Sequence, residues 1–347
     1  MQTIVILGGS FAGVGTAHRI LKQTSKTRPS VKIVIVSPNT HMYWNIAAPR
    51  AMLPGQFTDE KIFQPIAAGF KQYSANQFEF ISGSARSLDP VARKVEVSTG
   101  PREQETVIID YDFLIIGTGS RNKADDDDVN IPFKALGSTD ATKNALHILQ
   151  AVVKKSKRIV IVGAGPTGIE TAGELAFEYG KEKEIILIAS GQTVLEGAIP
   201  SVSKTALGML QKLNVDIRLR TKVTSSTRTT RGGVDQVELS LSDGTELTAD
   251  ICIPTFGVLP NSSYIPSKYL DANGFVKVDE YFQVKGLENQ HVWAIGDVSN
   301  LEPPQALFVD KQSAHLAKNI VLILSNKAPI PYKEATREML ELGILEV

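Results

Sequence analysis

Along the chain, apolar runs that stop at glycine alternate with stretches whose apolar residues recur at helical spacing. Arg158 to Leu175, RIVIVGAGPTGIETAGEL, shows both patterns in succession. The β-branched run predicts a strand, Gly163 to Gly165 a tight turn, and the residues after Gly168 a helix. Thr3 to Ala17, TIVILGGSFAGVGTA, repeats the pattern, with Gly8 falling on Gly163, Gly13 on Gly168, Thr16 on Thr171 and Ala17 on Ala172. Such a repeat predicts two copies of one strand–loop–helix unit. Lys32 to Val36 predicts the next strand of the first unit, ending at Ser37-Pro38-Asn39, and Glu184 to Ala189 that of the second, ending at Ser190-Gly191-Gln192.

The remaining pattern fills in around these units. Phe78 to Ile109 predicts short strands turning at Asp89-Pro90 and Gly100-Pro101, a small antiparallel layer beside the main sheet. Asp112 to Ser120 predicts a buried strand running into two glycines. Thr139 to Lys155 and Pro200 to Leu213 predict helices, Val215 to Leu219 a strand, and Val237 to Ala249 a hairpin turning at Asp243-Gly244. Ile251 to Pro254 and His291 to Ser299 predict buried strands, and Gln305 to Leu324 an amphipathic helix too short to span a bilayer. The predicted fold is α/β, with two dinucleotide-binding, Rossmann-like units in a three-layer ββα arrangement. Residues 1–121 begin the first unit, 122–260 form the second, 261–325 return to the first, and 326–347 are a short C-terminal segment.

Composition narrows the setting. The 347 residues are 42% hydrophobic and 21% charged, the balance of a folded chain with a substantial core. Lys plus Arg and Asp plus Glu are 37 each, so no net field draws nucleic acid or an anionic membrane. The first strand starts by Thr3, with no basic region or long apolar run before it, so neither a secretory leader nor a transmembrane helix is expected. Gln2 stands where myristoylation needs glycine. A lone cysteine, Cys252, excludes an internal disulfide and a C-x-x-C redox pair, and its place in a buried strand predicts a structural role. These features predict a cytoplasmic protein, in which the Asn261-Ser262-Ser263 glycosylation sequence is incidental.

The glycines carry the first candidate chemistry. Gly163, Gly165 and Gly168 have the G-x-G-x-x-G spacing that lets a pyrophosphate approach the backbone at a helix N-terminus. In the first copy Ser10 replaces the middle glycine, which restricts the backbone and places a hydroxyl near the phosphates. Two such loops suggest two nucleotides held face to face, as electron transfer between a nicotinamide and a flavin requires. The first unit's strand end lacks the acid that holds an adenosine ribose, leaving Ser37, Asn39 or the backbone to do so, or a plain strand end. The second also lacks it, and no Arg supplies the opposite preference, so NADH against NADPH stays open. Tyr43 and Trp44 either wall a flat ring or belong to the core. Arg50 either pairs with a phosphate or sits in solvent. Asp125 to Asp128 read as a solvated loop rather than a metal site. Asp297, at a strand's carboxyl end, is placed either to accept from sugar or ribityl hydroxyls or to cap the next element. Glu170, in the first turns of its helix, either accepts the carboxamide amino group of a nicotinamide or complements the helix dipole.

Five motifs, GGSFAG at 8–13, NIAAPRA at 45–51, FLIIGTGS at 113–120, VGAGPTGIE at 162–170 and AIGD at 294–297, together resemble one family. The chain resembles the AMID and ferroptosis-suppressor-protein group of FAD-dependent NAD(P)H oxidoreductases, which is similar in turn to type II NADH dehydrogenases. The resemblance runs over nearly all of residues 1–330. It implies bound FAD, hydride transfer from NAD(P)H, and electron delivery to a quinone without a cysteine pair. It also implies that Gly8, Gly9, Ser10, Phe11 and Ala12 form the FAD phosphate loop, with Arg50 near the cofactor, Ala85 touching it through backbone and Asp297 on the ribityl chain. Lys134, in IPFKALG, then matches a lysine close to the flavin, and Glu170 the acid beside the nicotinamide. Relatives continue past Pro331-Tyr332-Lys333 into a glycine-rich, membrane-meeting segment, whereas YKEATREMLELGILEV here is short, charged and helix-forming.

The expected activity is therefore a flavoenzyme that passes electrons to a small quinone-like acceptor or oxygen. Two alternatives stay open, a tailoring flavoenzyme for an aromatic or quinonoid biosynthetic intermediate and a dinucleotide-binding redox sensor without turnover. Nucleic acid is not an expected partner. Peripheral membrane contact and a homodimer stay open.

Overall fold

The computed structural model describes residues 1–24, 30–100, 104–123, 131–231 and 234–334. Its first sheet contains β1 (Gln2–Leu7), β2 (Val31–Ser37), β3 (Phe78–Asp89), β4 (Lys94–Thr99), β5 (Glu105–Asp110) and β6 (Phe113–Ile116). The second contains β7 (Arg158–Val162), β8 (Glu184–Ile188) and β9 (Asp216–Arg218). A three-stranded meander follows, β10 (Val223–Arg231), β11 (Val234–Leu241) and β12 (Glu246–Ala249). Then β13 (Ile251–Pro254) completes the second sheet in the order β9-β8-β7-β13, and β14 (Val292–Ala294) the first in the order β14-β6-β1-β2-β3-β4-β5. Five longer helices, α1 (Phe11–Thr24), α2 (Thr139–Lys155), α3 (Pro166–Tyr179), α4 (Pro200–Lys212) and α5 (Ala306–Leu324), flank them.

The apolar runs are continuous because both faces of each parallel sheet are covered. In β1, Ile4 and Ile6 pack with Ala17 and Ile20 of α1 and Leu316 of α5. Val5 and Leu7 face the other way, against Val95, Val97 and Val276. Cutting one of these side chains to alanine costs about 2–5 kcal/mol. The second sheet repeats the arrangement. Ile159 and Ile161 of β7 pack with Leu146, Leu149 and Leu175 of α2 and α3, and Val160 faces Leu239 and Leu241 of the meander.

Three features differ from the sequence expectation. Phe78–Asp89 is one twelve-residue strand, parallel to β2 over Phe78 to Ser82 and antiparallel to β4 from Gly83 onward. The antiparallel layer is thus an extension of the main sheet. The meander gains a leading strand, β10, whose VTSSTRTTR lacks the apolar alternation that marks half-buried strands. Cys252 is only half-buried, because its side of β13 lines the groove between α2 and the meander. The helical reading of the C-terminal tail and the solvated Asp125 to Asp128 lie outside the described residues.

The chain passes between the sheets twice, and the two passages pair, Ser120–Asn122 running antiparallel to Val258–Pro260. Asn261 latches them, with its side-chain amide donating to the Thr118 carbonyl (3.0 Å) and the Thr118 hydroxyl donating back to the Asn261 carbonyl (2.7 Å). One hydrophobic cluster also crosses between the units, joining Ala51, Met52 and Leu53, outside the first sheet, to Leu175 and Ala176 of α3 and to the second sheet.

Candidate functional site

The two phosphate loops have matching backbones. Gly8 (φ 116°) and Gly163 (φ 110°) each leave a strand in a conformation that L side chains rarely adopt. Their amides donate to carbonyls near the ends of the neighbouring strands, Gly8 to Val36 and Gly163 to Ile188, both at 2.8 Å. A Cβ on Gly8 would strike the Gly117 carbonyl, and one on Gly163 would lie 2.9 Å from the Thr255 hydroxyl. At the next turn of helix, a Cβ on Gly13 or Gly168 would strike the carbonyl of Gly8 or Gly163. Each helix therefore starts directly over its strand.

The loops diverge at the middle position. Gly165 precedes Pro166 of α3 with open space around the position of a Cβ, room for a pyrophosphate at the helix N-terminus. Ser10 is exposed at the same end of α1, where its carbonyl accepts from Val14 (2.9 Å). Phe11 is half-buried and Ala12 fully buried behind it. Gly9 lies on the end of β2, where a Cβ would approach Ser37 Cβ to 2.9 Å. Ser37 is buried, and its hydroxyl closes its own turn by donating to the Asn39 carbonyl (3.0 Å) and accepting from the Asn39 amide (3.2 Å). At the second loop Thr255 stands where Gly117 stands at the first, its hydroxyl 3.0 Å from the Val162 carbonyl and 2.9 Å from that of Gly163.

Beyond the first loop lies a polar centre. Lys134 Nζ is 2.6 Å from Asp297 Oδ2, and the Ser120 hydroxyl donates to the same oxygen at 2.9 Å. The Lys134 and Asp297 side chains are 23% and 13% exposed, so the pair is shielded but reachable. Backbone clamps fix the approach of Lys134. Tyr43 donates to the Pro132 carbonyl (2.8 Å), Asn45 to that of Phe133 (3.1 Å) and Asn122 to that of Ile131 (2.9 Å). The two aromatic readings divide here. Tyr43 is core, stacked on Phe63 at 4.9 Å, while Trp44 is 41% exposed with its edge toward Phe57.

The third group centres on α3. Glu170 keeps contact with solvent while neighbouring atoms crowd it, and that partial burial, reinforced by the Glu174 carboxylate one turn on, raises its pKa above the ordinary value. Arg50 Nε lies 3.0 Å from both oxygens of Glu174. It ties the first unit to the helix that carries Glu170. Ala85 sits opposite Val97 in the β3–β4 ladder, beside a register shift.

The structure therefore brings Lys134 to Asp297, Gly8 to Gly13 against Ser37, and Arg50 to the helix of Glu170. Sequence reasoning missed Ser120, Asn45, Thr255 and Glu174. A second internal repeat marks one of them, FLIIGTG at 113–119 against ICIPTFG at 251–257, with Gly119 and Gly257 at φ 68° and 70°. Among the described residues, no cluster of three or more His, Cys, Asp or Glu side chains is placed to hold a metal ion. None of their helices is long and apolar enough to cross a membrane.

A family model described as pyridine nucleotide-disulphide oxidoreductase matches residues 2–319. The chain is 54% identical over 345 residues to oxidoreductase ptaL of Pestalotiopsis fici, spanning 99% of this chain and 89% of that one. It is 30% identical over 334 residues to ferroptosis suppressor protein 1 of Taeniopygia guttata, spanning 93% and 81%. Among solved structures, NDH2 from Plasmodium falciparum in complex with NADH matches with a TM-score of 0.76 at 14% identity, over 96% of this chain and 86% of that chain. At that identity the likeness is one of fold.

Proposed function

The chain belongs to the pyridine nucleotide-disulphide oxidoreductase family, and on that premise we propose that it is an FAD-dependent enzyme that oxidises NAD(P)H and delivers the electrons to a quinone-like acceptor or oxygen. The observation that carries this reading is the pair of matched phosphate loops, at Gly8 and Gly163, on two sheets whose units meet where Ala51, Met52 and Leu53 pack against α3. Residues 1–121 and 261–325 hold FAD and residues 122–260 hold the pyridine nucleotide, with 326–347 a short terminal segment. Bound FAD would supply the two-electron relay between donor and acceptor.

The protein's part is binding, orientation and charge. The unpaired amides that follow Gly8 and Gly163, in the first turns of α1 and α3, would hold the two pyrophosphates. Ser37 packs beneath the first loop, Arg50 and Ala85 border the same cofactor, and Asp297 accepts hydrogen bonds from ribityl hydroxyls. Lys134, paired with Asp297, holds a cation where negative charge accumulates on reduction, and the N-terminus of α5 adds its dipole. Glu170 accepts the nicotinamide carboxamide. Exposed Trp44 and Ile46 offer a flat apolar approach for a ring-shaped acceptor. No disulfide relay takes part, since Cys252 stands alone and burial pushes its thiol up to about 12. The balanced charge and lone cysteine suit a cytoplasmic setting with a diffusing acceptor.

The visible spectrum of the purified protein tests this directly. Flavin bands that bleach under anaerobic conditions on adding NADH or NADPH, and recover on adding a short-chain quinone, are the expected result. A colourless protein that fails to oxidise either donor when FAD is supplied would overturn the reading.

A further inference from the structure

The strand end that normally selects between NADH and NADPH carries no acid, yet the structure brings one there from elsewhere. In this fold the adenosine ribose is read at the end of the strand that follows the phosphate-loop helix, here β8, which runs out into Ala189, Ser190 and Gly191. The chain then turns back. A Cβ on Gly191 would lie 2.5 Å from Glu196 Oε2 and 3.0 Å from its carboxyl carbon. The missing side chain at Gly191 is thus the space that the Glu196 carboxylate fills.

The returning loop is held firmly. Val194 is fully buried, and the Leu195 amide donates to the carbonyl of Ala164, inside the phosphate loop, at 2.8 Å. Leu195 has φ 50°, a left-handed conformation that a branched residue adopts only where its surroundings impose it. Its carbonyl accepts from the Ala198 amide (2.9 Å), and the Gly191 carbonyl accepts from the Arg220 backbone amide (2.9 Å). Strain of this kind, spent next to the phosphate loop, fixes the residue that follows it.

We propose that Glu196 is the specificity-determining residue for the donor, accepting the ribose 2′-hydroxyl of NADH and repelling the 2′-phosphate of NADPH. The inference rests on the assignment of residues 122–260 to the pyridine nucleotide. A carboxylate is an acceptor for ribose hydroxyls and a like charge to a phosphate, so one group supplies both attraction and exclusion. Of the cations on this strand exit, Arg218 is engaged by Asp216 (3.1 Å), whereas Arg220 is exposed and joined to the Gly191 turn through its backbone amide. Neutralising Glu196 leaves Arg220 to favour a phosphate.

The test titrates the flavin-loaded protein with ADP-ribose and with 2′-phospho-ADP-ribose by calorimetry, alongside kcat/KM for NADH and NADPH. The wild-type protein should prefer ADP-ribose and NADH by about tenfold or more. Glu196→Gln should bring each pair within about threefold, and Glu196→Gln with Arg220→Ala should lose the regained affinity for the 2′-phosphate. Unchanged flavin content and melting temperature in Glu196→Gln separate this effect from misfolding. Equal or tighter wild-type binding of the 2′-phosphate, or an unchanged ratio in Glu196→Gln, overturns the role of Glu196 alone. Failure to bind either ligand overturns the nucleotide assignment with it.

Discussion

The two dinucleotide units share a backbone and part company in their side chains. Gly8 and Gly163 have nearly the same φ, donate to equivalent strands and lie against equivalent strand exits at Gly117 and Thr255. Around that common cradle the first unit adds Ser10, Ser37 and the Asp297–Ser120 pair, which Lys134 reaches from the other unit. The second adds open space at Gly165, the acids of α3 and a loop that returns over its strand end. Holding a pyrophosphate takes backbone amides in one geometry, and choosing which nucleotide is held takes side chains that each unit draws from different parts of the chain.

The most direct way to separate the halves is to damage each cradle in turn. Gly163→Ala should leave the flavin bound while lowering kcat/KM for the nicotinamide donor about a hundredfold, because a Cβ there presses on Thr255 and displaces the pyrophosphate. Gly8→Ala should instead lose the flavin. If Gly163→Ala bleaches as fast as the wild-type protein, the division of labour between the units is wrong.

The polar centre that Lys134 and Asp297 form between the units comes next. Lys134→Met strands Asp297 as a half-buried carboxylate, so urea unfolding of the flavin-free protein should show a loss of about 2 kcal/mol. Turnover should fall about tenfold or more with the loss of the cation. Lys134→Met with Asp297→Asn should recover part of the stability but not the turnover. Recovery of both would make the pair purely structural.

Glu170 offers a smaller effect with a defined sign. Its folded pKa lies above the ordinary 4.5, so ionising it opposes folding, and the penalty develops as pH rises from that value through the folded one. Glu170→Gln should therefore melt higher than the wild-type protein near neutral pH, with the difference fading as pH falls below about 4.5. The same variant should weaken the nicotinamide donor about tenfold. The smallest change is expected for Arg50→Ala. The pair with Glu174 is open to solvent, so the KM for the donor should shift about threefold or less, and less still at high salt. A large loss of flavin in this variant would make the contact of Arg50 with the cofactor, rather than its pair with Glu174, the one that matters.

Much of the fold and part of the site are legible in the order of residues. The repeat at Gly8 and Gly163, the strands it implies and the acid at Asp297 all follow from spacing, because glycine requirements and apolar periodicity are local. β10 escapes such a reading because a strand that packs mainly through its neighbours carries little apolar alternation. Ser120 and Asn45 escape it for another reason: a serine or an asparagine has many uses, and only its partner reveals which one applies. Thr255 leaves a trace in the second internal repeat.

The fold class, the two phosphate loops and the lack of a disulfide relay are written into the chain itself, since each depends on residue types within a short window or on a count of cysteines. What those loops are paired with is settled only by packing. Lys134 meets Asp297 across 163 positions, Arg50 meets Glu174 across 124, and Glu196 reaches Gly191 through a loop anchored on Ala164. No local pattern encodes the first two contacts or the Ala164 anchor of the third, because they arise where separately formed strands and helices come together. The long-range burial that holds them in place is a property of the whole core.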